Sequence, residues 1–143
     1  MDDDPFELSR FVTAQDAHGT YEQALAELRR GRKQTHWMWF VFPQLAGLGR
    51  SATARRYALS SLAEARAYLA HPVLGARLRE CAQVVADAGN DPVSVFGGID
   101  ATKLRSSMTL FLRAAPSEAV FAAVLNRHFA GEPDPATDDR LPG

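Results

Sequence analysis

The chain has 143 residues, of which 46% are hydrophobic and 23% charged, a composition typical of a soluble globular protein. Its formal net charge of -1 excludes a histone-like basic protein and a highly charged disordered chain, and its single cysteine excludes an intramolecular disulfide. The acidic start predicts no secretory signal peptide, and no apolar run approaches the length of a membrane span. We therefore expect a single-domain cytoplasmic protein without a membrane segment.

Helix signals follow one another along the chain. The capping-box pattern, Ser or Thr followed three residues later by Glu or Gln, begins at Thr20 and at Ser61, and Gly31 is placed to end the first of these helices. Apolar residues recur at helical spacing between such signals. The predicted helices cover approximately residues 5–15, 20–30, 51–59, 61–71, 72–88, 100–112 and 116–129, with a short helical turn at 92–96. This order predicts an all-α fold, with a single compact domain of about seven helices over 1–131 and an acidic Pro/Asp-rich tail over 132–143.

The segment from Trp37 to Phe42 does not fit one pattern. It contains both tryptophans and only apolar residues, so its periodicity cannot distinguish a strand from a helix. A lone strand in a helical protein has no pairing partner, which favours a short helix or a buried extended turn ended by Pro43.

Charge is unevenly distributed along the chain. Between Leu28 and Ala63 there is no Asp or Glu, while seven basic residues give this stretch a charge of +7 with histidine neutral. Such a run is commonly a solvated face, but it also suits an anionic ligand or an acidic partner. Sequence-specific nucleic-acid binding is not supported, because the arginines are not interleaved with aromatic residues.

Two polar motifs are candidates for a binding site, one around the tryptophans and one on the predicted helix after residue 100. Lysines would hold negative charge, a tryptophan would stack on a flat group, and amide or hydroxyl groups would orient polar edges. The candidate ligand-binding residues are Lys33, His36, Trp37, Trp39, Gln44, Lys103, Ser106 and Ser107.

Other interpretations of these residues stay open. The tryptophans can instead be a core plug, and His36 can be an ordinary hydrogen-bonded histidine. If the protein is an enzyme, His36 and Asp100 are the candidate acid/base groups. The four histidines show no metal-ligand spacing, so we predict no metal, and nothing indicates a cofactor.

Several motifs resemble a known family. The sequence is similar to the bacterial domain-of-unknown-function 1810 family from about residue 5 to 137, and the resemblance implies a mainly helical single domain with no established activity. The matching strings include His36-Trp37-Met38-Trp39-Phe40-Val41-Phe42-Pro43-Gln44-Leu45, Tyr68-Leu69-x-His71-Pro72, Asp100-x-x-Lys103-Leu104-x-Ser106-Ser107-Met108-Thr109 and Gly131-x-x-Asp134.

The order of the later motifs is also similar in layout to NADAR-type domains, which act on ADP-ribose and related N-glycosides. Two hypotheses follow. The first is a domain that binds a small, phosphorylated, nucleotide-like or ADP-ribose-like anion. The alternative is a protein-interaction module that uses the basic 28–63 segment and has no small-molecule site. They differ in whether Lys33, Trp37, Trp39 and Lys103 face one cavity; the sequence does not indicate the oligomeric state.

Overall fold

The structure, a computed structural model, describes residues 4–89 and 91–141. Ten α-helices and one 3-10 turn lie within these ranges. The acidic residues Asp2 and Asp3 of the predicted acidic start lie outside them. The helices are α1 Ser9–Asp16, α2 Thr20–Arg30, α3 Met38–Val41, α4 Ala52–Arg56, α5 Leu62–Ala70, α6 Leu74–Asp87, α7 Pro92–Phe96, α8 Gly98–Ala114, α9 Ala119–His128 and α10 Pro135–Arg140, with the 3-10 turn at Ala17–Gly19.

The all-α prediction is confirmed, and the predicted number of about seven helices is roughly right. Six helices have eight or more residues, and the other four are short. Within 4–89 and 91–141 the only β-type pairing is an isolated parallel bridge between Leu45 and Leu59. None of the helices in these ranges combines the length and the apolar character needed to cross a membrane.

The predicted helix signals differ in how they work. Ser51 and Ser61 each accept a hydrogen bond from the backbone N–H three residues later, as N-caps do. Gly31 ends α2 in the left-handed conformation at φ +76°. Thr20 does not cap α2, because the left-handed Gly19 precedes the helix and the Thr20 hydroxyl donates to a carbonyl in the preceding turn.

The tryptophan segment forms the one-turn helix α3 from Met38 to Val41, as its lack of a strand partner favoured. Pro43 follows it, and the chain then runs extended past Leu45. There the backbone pairs with Leu59, whose N–H donates to the Gln44 carbonyl at 2.9 Å. This pairing fixes the loop of residues 43–51 against the body of the protein.

Helix α8 lies at the centre of the packing and contacts α5, α7, α9 and α10. Its apolar side chains at three- and four-residue spacing, Leu104, Met108 and Phe111, are fully buried. Burying each of them contributes about 2 kcal/mol of hydrophobic stabilisation. The opposite face of the first turns of α8 is polar, and this face borders the candidate site.

The segment after Gly131 packs against α8. Arg113 binds the Asp138 carboxylate through two hydrogen bonds of 2.9 Å, and Arg105 donates to the backbone carbonyls of Glu132 and Pro133. The composition suggests a loose tail over 132–143, but the chain forms α10 at Pro135–Arg140, because Arg113 binds Asp138 in this helix and Arg105 binds the carbonyls just before it. Residues 142 and 143 lie outside the described residues.

Candidate functional site

A cavity of about 550 Å³ lies between the loop of residues 43–51, the first turns of α8 and the start of α10. This volume is in the range of small-molecule sites. Four of the eight predicted binding residues line it: Trp39, Gln44, Lys103 and Ser106. The local reason is helical spacing, since positions 103 and 106 share one face of α8.

Two larger openings elsewhere are less suited to an anionic ligand. One, of about 620 Å³, surrounds Arg10, whose guanidinium donates to four backbone carbonyls and to Glu64. All five donors of this side chain are therefore used within the protein. The other opening, of about 840 Å³, lies between α1 and α5, and its lining contains no Lys or Arg among the described residues.

Lys103 is held between a carboxylate and an aromatic ring. Its Nζ lies 3.1 Å from Asp100 Oδ1 and 3.8 Å from the centroid of the Trp39 ring, a close cation–π contact. Lys103 therefore covers one face of Trp39, and a ligand can contact this ring only on its other face or its edge unless the lysine moves.

Asp100 joins Lys103 to Lys33. Its second oxygen, Oδ2, lies 3.0 Å from Lys33 Nζ, so each carboxylate oxygen has one ammonium partner. Burial alone would raise the pKa of Asp100, but the hydrogen bonds and charges of the two lysines outweigh it and hold the pKa below its ordinary value. This candidate acid/base group is thus an ionised carboxylate with both oxygens engaged, placed to position Lys103 beside the cavity.

The Gln44 side chain is polar, almost buried and without a protein partner. The residue is 8% exposed and lines the cavity. Its backbone carbonyl is used in the pairing with Leu59, but its side-chain amide makes no hydrogen bond to any group in residues 4–89 and 91–141. Buried amides are normally hydrogen-bonded, so this one is free to bind something in the cavity.

Asp134 also lines the cavity, and the sequence analysis did not select it as a site residue. The residue is 8% exposed, and its Oδ2 accepts hydrogen bonds from the Ser106 hydroxyl (2.8 Å), the Thr137 N–H (3.1 Å) and the Thr137 hydroxyl (2.6 Å). Its Oδ1 accepts no hydrogen bond from the described part of the chain. The Asp134-Pro135 pair, a helix-start signal like Asp91-Pro92, could have marked this residue as a helix cap in the sequence.

The other four predicted binding residues lie outside the cavity. Trp37 is 1% exposed and packs against Phe42 and Phe96, each with ring centroids 6.3 Å away, so it belongs to the core. Lys33 reaches the site only through Asp100. His36 is exposed, and Ser107 is buried in α8 with no hydrogen-bond partner for its hydroxyl within the described residues.

A buried carboxylate that the sequence analysis missed explains the position of Trp37. Glu27 is fully buried and accepts hydrogen bonds from Trp37 Nε1 and from four other donors, which are Gln23 Nε2, the backbone N–H groups of Gln34 and Thr35, and the Thr35 hydroxyl. Burial opposes its ionisation, but these hydrogen bonds dominate and lower its pKa from 4.5 to about 2. Glu27 therefore fixes the chain that leads into α3.

The seven basic residues of the 28–63 segment do not share one environment. Lys33 is paired with Asp100, Arg29 lies 3.8 Å from Glu80, and the Arg56 guanidinium lies over the Tyr57 ring. Arg50 is exposed and lines the cavity. The positive charge of this segment is thus partly neutralised, and one of its arginines borders the candidate site.

These features define a small all-helical protein with a cavity beside its central helix that charged and amide side chains border. In the ranges 4–89 and 91–141, no group of three or more His, Cys, Asp or Glu side chains is arranged to hold a metal ion.

The chain belongs to the family described as "Protein of unknown function (DUF1810)", whose family model matches residues 5–141. This match confirms the resemblance seen in the motifs. The chain is also similar to a conserved hypothetical protein of Mycobacterium tuberculosis, Rv1873, known from a crystal structure. The identity is 50%, the TM-score is 0.93, and the match covers 96% of this chain and 98% of that one. No curated protein matches the chain.

Proposed function

We propose that the cavity beside α8 binds a small, phosphorylated, nucleotide-like molecule. The observation that carries this proposal is the Gln44 amide, which is almost buried, lines the cavity and has no partner in the described chain. The polar atoms of this amide are open to the cavity, so a ligand with complementary polar atoms can hydrogen-bond to them directly. Gln44 can turn either its oxygen or its NH2 group towards such a ligand.

Two positively charged side chains at the cavity favour a ligand that carries an anionic group. Arg50 lines the cavity, is exposed and makes no salt bridge within 4–89 and 91–141. Lys103 lies deeper and is shared with Asp100. A guanidinium binds phosphate oxygens in a bidentate manner, so Arg50 is the first contact for a phosphate and Lys103 is the second.

The size and the aromatic wall support a ligand with a flat group. About 550 Å³ accommodates a nucleoside monophosphate, and Trp39 lines the cavity, where Lys103 leaves the other face or the edge of the ring for a flat group. An ADP-ribose-like ligand would extend towards the exposed mouth at Arg50.

Tryptophan fluorescence and calorimetry test this proposal. AMP, ADP-ribose and inorganic phosphate are titrated up to millimolar concentration, and we expect the organic ligands to bind more tightly than phosphate. Trp37→Phe should keep the ligand-dependent fluorescence change and Trp39→Phe should lose it, because only Trp39 lines the cavity. Failure of every ligand would reject the proposal and leave the interaction module of the 28–63 segment as the remaining hypothesis.

A substitution of Gln44 separates a binding role from a structural one. In Gln44→Met the side chain keeps its length and loses its amide, so we expect about tenfold weaker ligand binding with unchanged or higher stability. Gln34→Met is the matched control, since Gln34 is exposed and lies outside the cavity. A Gln44→Met protein that is less stable and binds normally would show that the amide serves the fold.

A further inference from the structure

Only one of the two oxygens of the Asp134 carboxylate accepts hydrogen bonds from the described part of the chain. Three donors from Ser106 and Thr137 meet at Oδ2, whereas Oδ1 accepts nothing from residues 4–89 and 91–141. Although the residue is nine-tenths buried, Oδ1 is not sealed off from solvent, and the residue lines the cavity. Oδ1 is therefore a hydrogen-bond acceptor that a ligand in the cavity can reach.

We infer that Asp134 accepts a hydrogen bond from an amino group of the ligand, so that the cavity selects phosphorylated molecules that also carry an amino group. This inference rests on the proposed function and adds a specificity-determining residue and a ligand class to it. Its basis is that one cavity brings together the cations Arg50 and Lys103, the open carboxylate oxygen of Asp134 and the unpartnered amide of Gln44.

The charge of Asp134 is the first reason. No Lys, Arg or His side chain in the described ranges forms a salt bridge with it, although most buried carboxylates are paired with a cation. The hydroxyl and N–H donors of Ser106 and Thr137 stabilise the negative charge at Oδ2 only. The hydrogens of an amino group carry a positive or partly positive charge, so a ligand amino group would stabilise the negative charge at Oδ1.

The number of acceptors is the second reason. Asp134 and Gln44 both line the cavity, and the Gln44 amide can turn its oxygen inward as a second acceptor. An amino group supplies two or three hydrogens from one nitrogen, whereas a hydroxyl supplies one. With Gln44 in this orientation, an amino group can serve both acceptors and a hydroxyl only one.

The geometry of α8 sets the distance between the two ends of the ligand. Lys103 and Ser106 are neighbours on one helix face, and the Ser106 hydroxyl binds Asp134 directly at 2.8 Å. The anion-binding and amino-binding groups therefore lie side by side. A compact ligand fits this arrangement, such as a nucleoside monophosphate with an exocyclic amino group or an amino sugar phosphate.

Two matched ligand pairs test the inference on the wild-type protein by calorimetry. The first pair is AMP and purine riboside 5′-monophosphate, which lacks only the amino group. The second pair is glucosamine 6-phosphate and glucose 6-phosphate, which carries a hydroxyl instead. In the pair that binds, we expect the amino compound to bind at least about tenfold more tightly, and which pair binds identifies the source as a nucleotide or an amino sugar.

A substitution then assigns the preference to Asp134. Asp134→Asn keeps the size of the side chain, and its amide oxygen can retain the bonds from Ser106 and Thr137 while NH2 replaces the open oxygen. We expect the tenfold preference to fall to within about twofold. Asp138→Asn is the matched control on the same helix, because Asp138 binds Arg113 outside the cavity, and it should keep the preference.

The outcomes separate the inference from the proposed function. Equal binding of the two members of a pair, or a preference that Asp134→Asn leaves intact, overturns the inference while the cavity stays a binding site. Selective binding of the amino sugar alone overturns the nucleotide-like ligand and keeps the role of Asp134. If no compound binds at millimolar concentration, both are rejected. Should the variant fail to fold, the ligand pairs on the wild-type protein decide alone.

Discussion

Two buried carboxylates without cationic partners in the described chain, Glu27 and Asp134, differ in how completely they are hydrogen-bonded. Glu27 accepts five hydrogen bonds that engage both of its oxygens. Asp134 accepts three, all on Oδ2, and its other oxygen borders a cavity. The first carboxylate can only stabilise the fold, whereas the second has capacity left for a ligand.

The two tryptophans divide in the same way. Trp37 donates to Glu27, packs on phenylalanines and is 1% exposed, so it acts as a core residue. Trp39, two positions later, borders the cavity beneath Lys103. The start of α3 therefore places the Trp37 ring in the core and the Trp39 ring at the candidate site.

The largest expected effect is on stability, and it tests whether Glu27 contributes more to the fold than Asp134 does. Glu27→Ala leaves the buried Trp37 Nε1 without an acceptor and removes four partly buried hydrogen bonds, and we expect it to lower the free energy of unfolding by about 4 kcal/mol. Asp134→Ala should cost about 1–2 kcal/mol, because it removes the acceptor of three hydrogen bonds and not of five. Urea denaturation measures both, with the exposed Glu22→Ala on the same helix as the control. Equal losses at positions 27 and 134 would remove the distinction drawn between the two carboxylates.

The pH dependence of stability is the next effect in size. The pKa of Glu27 is lowered from 4.5 in the unfolded chain to about 2 in the folded protein. Its contribution is therefore fully present above pH 4.5 and is lost as the pH falls towards 2. The difference between these pKa values corresponds to about 3 kcal/mol.

Comparison with Glu27→Gln isolates this contribution from the other acidic groups. Because glutamine does not titrate, the stability advantage of the wild-type protein over the variant should shrink between pH 5 and pH 2. Urea denaturation at several pH values gives the two curves. Parallel curves over this range would show that Glu27 is not the group responsible.

A smaller effect tests the cavity side. A Cβ atom on Gly49 would lie 2.6 Å from the Ala54 Cβ and 3.3 Å from the Trp39 ring, so Gly49→Ala forces the loop and the ring apart. We expect a loss of about 1–2 kcal/mol and weaker ligand binding. Gly98→Ala is the control, since nothing lies near its Cβ position, and it should change neither quantity. A Gly49→Ala protein with normal affinity would place the ligand away from Trp39.

Much of the fold could be predicted from local signals, because caps and apolar spacing act over a few residues. Ser51 caps α4, Gly31 ends α2, and the apolar face of α6 is buried as its spacing predicts. Thr20 failed as a cap because the left-handed Gly19 reshaped the turn before it.

Half of the eight predicted binding residues line the candidate cavity. Trp39, Gln44, Lys103 and Ser106 lie together there, since positions 103 and 106 share one face of α8, while position 39 lies on α3 and position 44 in the loop that follows it. Which tryptophan is buried depends on Glu27, ten positions before Trp37, and no sequence pattern connected the two residues.

Local patterns in the sequence are enough to predict an all-helical domain, its family, and a helix face that carries lysine and serine, because helical periodicity and capping act over a few residues. Long-range packing is needed for Lys103 to cover Trp39, for Asp100 to join two lysines, and for Asp134 to reach the cavity with one oxygen that no described residue engages. These contacts join residues far apart in the chain, and their hydrogen bonds exist only after α8 and α10 have packed together.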